Sequence, residues 1–97
     1  MSGSKDNVAE YAIDLEKNSA AHGWQQLEQQ FPSAMGRCRD FLTKNPTDTI
    51  KSRGKAKKLR GSLKWLYQYD VTDNARLWYW VNKKSHIVKV EYAGPHP

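Results

Sequence analysis

The stretch "ARLWYWVN", Ala75 to Asn82, sets a guanidinium and two indoles at every second position: Arg76, Trp78 and Trp80. Alternate side chains of an extended strand share a face, so these three line up on one side while Leu77, Tyr79 and Val81 line up on the other. Arginine donates paired hydrogen bonds to a phosphate and stays charged at any working pH. Indoles stack on unpaired bases, at about 1 to 3 kcal/mol per base. The combination suits a ligand that carries both phosphates and bases. The competing reading is that one or both indoles lie under a protein partner or under the chain's own termini.

The charge supports a polyanion. The 97 residues hold 16 Lys and Arg against 10 Asp and Glu, a net of +6. Residues 51–97 alone hold eleven of the basic residues and three of the acids, while residues 1–50 are net negative. The densest run is "KSRGKAKKLRGS", Lys51 to Ser62, with six basic residues and no acid. Neutralising phosphates releases their counterions, so a basic block beside aromatics favours nucleic acid over a merely solvated surface.

Other chemistries are excluded. Cys38 is the only cysteine, which rules out an intramolecular disulfide and a cysteine zinc site. Helical spacing places it with Ala34, Phe41 and Leu42, as a buried structural residue in a reducing interior. His22, His86 and His96 lack metal-ligand spacing, so neither metal nor cofactor is expected. No apolar run approaches the roughly 18 residues that a membrane span needs, and "MSGSKDN" lacks the apolar core of a signal peptide. A cytoplasmic protein is expected.

The elements that must position these residues follow from periodicity. Tyr11, Ile13 and Leu15 alternate with acids in a first strand, Val8 to Leu15, after a frayed, disordered segment 1–7. Asn18 or Ser19 offers a cap for a helix whose Trp24, Leu27 and Phe31 share a face. Pro32 fits the first turn of a second helix, which ends before Asn45 and Pro46. Lys51 to Ser62 reads as a solvated loop. "SLKWLYQYDV", "ARLWYWVN" and "HIVKVEY" are three strands joined by "TDN" and "NKKS". The expectation is one α+β domain over 1–97, ordered β-α-α-β-β-β, with a helical hairpin over one face of a small twisted sheet whose last three strands form an antiparallel meander. Hairpin register decides whether Trp65, Tyr67 and Tyr69 or Lys64, Leu66 and Gln68 join Arg76 on the open side.

This order of elements, together with "KKLRGSLKWLYQYDVTDNARLWYWVNKKSHIVKVEYAGPHP", resembles the RelE/ParE superfamily of toxins from type II toxin-antitoxin systems. The resemblance runs from Tyr11 onward and rests on "KLRG", on the Arg that opens "RLWYWV", and on a Gly-His-like turn in "AGPHP". It implies a RelE-like microbial ribonuclease fold and an antitoxin that wraps the toxin, expected from charge to be acidic and partly disordered. It also implies metal-independent cleavage of mRNA on the ribosome, inhibiting translation.

Carried onto this chain, the resemblance gives Arg76 the scissile phosphate and His96 the role of acid or base. Lys55, Lys57, Lys58 and Arg60 form the basic approach, and Tyr67, Tyr69 and Trp78 offer rings to RNA bases. Cleavage by a 2′-hydroxyl needs a base, cations for the phosphorane and an acid for the leaving oxygen. The loop 51–62 has no carboxylate to match the glutamate base of some members, so either a lysine, with Lys58 the candidate, serves at a lowered pKa or the base is absent. Two alternatives share the fold: a ParE-like poison of DNA gyrase, and an RNA-binding module whose catalytic set has decayed.

Overall fold

The computed structural model describes residues 10–95. Its elements are β1 (Ala12–Asp14), α1 (Asn18–Gln30), α2 (Pro32–Lys44), β2 (Ala56–Lys58), β3 (Tyr67–Thr72), β4 (Ala75–Asn82) and β5 (Ile87–Pro95), with a 3₁₀ turn at Gly61–Leu63. The strands form one sheet in the order β1-β5-β4-β3-β2, in which β1 runs parallel to β5 and the other pairs are antiparallel. Val8 and Ala9 of the expected first strand lie outside the described residues.

Three local expectations change. Of the described part of the expected strand Val8 to Leu15, only Ala12–Asp14 is strand. The helix α1 begins at Asn18 itself, with Lys17 as its N-cap and no side-chain capping bond. Lys17 is extended, at φ −71° and ψ 119°, and its carbonyl accepts the first helical bond from Ala21 N–H at 2.9 Å. The run Lys51 to Ser62 is not only loop: it contains β2. Three residues with two lysines leave no apolar alternation to detect, and pairing with β3 makes the strand, through Ala56 to Tyr69, Lys57 to Gln68 and Lys58 to Tyr67. Lysines on so short an edge also discourage another chain from adding to it.

The two helices cover one face of the sheet. From α1 come Trp24 and Leu27, from α2 Met35, Cys38 and Leu42, and they meet Tyr69, Val71, Leu77, Tyr79, Val88 and Val90 of the strands. Tyr79 reaches through this core to donate its hydroxyl to the Pro46 carbonyl at 2.8 Å, tying β4 to the chain after α2. Burial pushes the Tyr69 phenol up to about 12. It drives the Tyr79 phenol and the Cys38 thiol well above their ordinary ranges.

Gly23 explains how α1 lies so close to β5. A Cβ there would sit 1.9 Å from the backbone oxygen of Ala93, so the helix rests directly on the strand. Replacing a helical glycine by alanine normally gains up to about 1 kcal/mol. Here the clash is with backbone and forces α1 to move, at the typical overpacking cost of about 1 to 3 kcal/mol. Gly23→Ala is therefore expected to lower the thermal midpoint by several degrees, and a rise would mean that α1 lifts without loss.

Candidate nucleic-acid interface

The face of the sheet opposite the helices is built by strand register. On β4, Ala75, Leu77 and Tyr79 are buried toward the helices, and Arg76, Trp78 and Trp80 point the other way. Two cross-strand rows follow from the pairing. Lys57, Gln68, Trp78 and Tyr92 form one, across β2, β3, β4 and β5, and Asp70, Arg76 and Gly94 form the next, across β3, β4 and β5.

A chain of polar contacts joins the rows. Trp78 Nε1 donates to Gln68 Oε1 at 3.0 Å, Gln68 Nε2 donates to Asp70 Oδ1 at 3.0 Å, and the same oxygen lies 3.8 Å from Arg76 Nε. An indole only donates and an ionised carboxylate only accepts, so a side-chain amide is the adapter that satisfies both, and its orientation is thereby fixed. Gln68 is buried, and both ends of its amide are used. Its bonds hold Asp70 beside Arg76.

Arg76 is set into the surface, with 14% of its side chain exposed against 35% for Asp70. Among the described residues its Nε has no hydrogen-bond partner. Across from it on β5 stands Gly94, which is buried, with the Tyr92 ring lying against it. A Cβ at Gly94 would come within 3.1 Å of the Tyr92 hydroxyl, which itself donates to the Pro95 carbonyl. The result is a cationic group with a carboxylate on one flank and Gly94 with the Tyr92 ring on the other, and a guanidinium so placed can pair with a phosphate.

Several residues picked from sequence lie elsewhere. Tyr69 is buried among the helices, 5.5 Å from the ring of Phe41, and Tyr67 stacks on the core ring of Tyr79 at 5.5 Å. Both face the core, so neither offers a ring to RNA on the Arg76 face. Lys58 pairs with Tyr67 and sits 5.1 Å over its ring, which turns it to the helix side, away from Arg76. Lys57, paired with Gln68, shares the Arg76 face and is exposed. Lys55 and Arg60 are exposed on either side of β2.

Trp78 keeps its place on the face, half-buried and tilted against Tyr92 at 5.6 Å. Trp65, just past the 3₁₀ turn, is 52% exposed. His96 lies outside the described residues.

Of the two register alternatives, the one that puts Gln68 beside Arg76 is the one found; Asp70, Tyr92 and Gly94 were missed from sequence. Parity carried the signal: once Tyr67 and Tyr69 are assigned to the core, Gln68 and Asp70 must join Arg76. Among the described residues no three His, Cys, Asp or Glu gather as a metal site, and no helix is long and apolar enough to cross a membrane.

No protein-family model and no curated protein matches the chain. Solved structures do. An archaeal RelE-RelB complex from Pyrococcus horikoshii is similar at 26% identity and a TM-score of 0.64, over 88% of this chain and 93% of that one. A mutant YafQ from E. coli aligns at 14% identity and a TM-score of 0.63, over 91% and 93%. The toxin-antitoxin complex RelBE2 from Mycobacterium tuberculosis aligns at 16% identity and a TM-score of 0.61, over 90% and 99%.

Proposed function

We propose that this chain, whose fold is that of the RelE/ParE-superfamily toxins, is the toxin of a type II toxin-antitoxin pair and cuts mRNA on the translating ribosome. The observation that carries the reading is Arg76, set into the face of the sheet opposite the helices, with the Asp70 carboxylate paired on one side and Gly94 on the other. There it binds the scissile phosphate and stabilises the charge that grows on it. Lys57 adds a cation on the same face, and Trp78 offers the exposed part of its ring to a base. His96 supplies the proton for the leaving oxygen, and no metal takes part. The toxin works in the cytoplasm. Its antitoxin is acidic and partly disordered, and folds over this basic surface.

The test is induction of the protein in a bacterial host carrying two copies of a reporter mRNA, one with and one without a start codon. Mapping 5′ ends within minutes is expected to show new ends inside the translated copy only. Ends in both copies would make the enzyme ribosome-independent. Growth arrest without new ends would overturn the nuclease reading in favour of a gyrase poison.

A further inference from the structure

The reaction needs a base, and the residue considered for it from sequence, Lys58, faces the wrong way. We propose that Asp70 is the general base that takes the proton from the attacking 2′-hydroxyl, an inference that rests on the nuclease reading above. Asp70 is the residue directly opposite Arg76 in the strand register, so a phosphate bound at Arg76 brings the neighbouring ribose to it.

Its contacts suit that duty better than a structural ion pair. A closed Arg-carboxylate pair has N···O distances of about 2.7–2.9 Å, whereas Asp70 Oδ1 stays 3.8 Å from Arg76 Nε. That oxygen instead accepts from Gln68 Nε2, which is anchored in turn by Trp78. Among the described residues no hydrogen bond engages Oδ2. One oxygen is thus tethered and the other is left to accept a proton. A negative charge beside a phosphate-binding arginine also weakens phosphate binding, through like-charge repulsion. Its presence on a face built for a polyanion makes sense if it acts in the reaction itself.

The step balances without a co-reactant. The 2′ O–H bond breaks and its proton passes to Asp70 Oδ2. The 2′-oxygen bonds to phosphorus, the bond from phosphorus to the 5′-oxygen breaks, and that oxygen takes its proton from the acid assigned to His96. The products are a 2′,3′-cyclic phosphate and a 5′-hydroxyl. Gln68 is a positioning residue, because it acts through Asp70.

The experiment compares the wild type, Asp70→Asn and Asp70→Glu on ribosomes programmed with a defined mRNA. Single-turnover cleavage is measured, and affinity is measured on the same mRNA carrying a 2′-deoxy residue at the cut site. Asp70→Asn is expected to slow cleavage about 10²–10⁴-fold, the usual range for a lost general base, while binding the uncleavable mRNA as tightly or more tightly. Asp70→Glu is expected to recover part of the rate. Cleavage by Asp70→Asn within about threefold of wild type would overturn the assignment and leave the nuclease reading intact. Equal losses of cleavage and affinity would overturn it too, reducing Asp70 to an anchor for Arg76. A wild type that cuts nothing would sink the nuclease reading, and this proposal with it. If Asp70→Asn fails to fold, Asp70→Ser is judged by the same criteria.

Discussion

Arg76→Ala is expected to slow mRNA cleavage about 10²–10³-fold, the scale on which removing one preorganised donor to a developing oxyanion acts. The effect should fall on the chemical step. The guanidinium is held in the sheet surface rather than swinging in solvent, so its position is set before RNA arrives. Arg76→Lys is expected to recover little, because an ammonium replaces the planar fork with a point charge and reaches less far. Stability should hardly change: the Asp70 left behind is one-third exposed and finds water, and a pair this open contributes about 1 kcal/mol or less. Single-turnover rates and thermal midpoints on the same samples separate the two effects. An Arg76→Ala protein that cleaves like the wild type would remove Arg76 from the site.

The second large effect is loss of the fold at high pH. Free thiols and phenols ionise near about 8.5 and about 10, whereas burial holds Cys38 and Tyr79 protonated far above those values in the folded protein. The sign follows directly. Above pH 10 the unfolded chain has released protons that the folded chain retains, so stability that is complete below the ordinary thiol range is lost as pH rises. Each group removes about 1.4 kcal/mol per pH unit, so the two together remove about 3 kcal/mol per unit. Tyr69 adds less, because its phenol ionises within the folded protein at about 12. Against the roughly 5–15 kcal/mol that holds such domains together, cooperative unfolding is expected as pH approaches about 12. Circular dichroism against pH would show it, with the midpoint moving up in Cys38→Ala. A native spectrum maintained beyond that pH would contradict the argument.

The sequence was most legible where a period persisted. Over Ala75–Trp80 buried and half-buried residues alternate, with Leu77 and Tyr79 in the core as the strand period requires. The helical hairpin was equally plain, since Pro32 separates two apolar stripes. β2 was not legible. With Ala56 as its one buried residue it has no pattern of its own, and it exists because β3 offers an unpaired edge.

The candidate site suffered from a related ambiguity. "WLYQYDV" is apolar or aromatic at both parities, so composition alone does not say which face holds the tyrosines. Choosing Tyr67 and Tyr69 for RNA exchanged the two faces of β3, and with them hid Gln68 and Asp70. The search for a carboxylate in the loop 51–62 then looked one strand away from Asp70, the carboxylate that pairs with Arg76.

The position of β5 sets a timetable for everything else. It lies between β1 and β4, joining Ala12 to Ile87 across 75 positions of chain, and it supplies Tyr92 and Gly94 to the Arg76 face. The hairpin of β3 and β4 forms from neighbours and closes early, but pairings this distant close late. On a growing polypeptide, Arg76 has its near flank long before its far one. Synthesis therefore delivers the strand that completes the face only after the other described elements have been made, and a copy that stops before β5 lacks the far flank of Arg76.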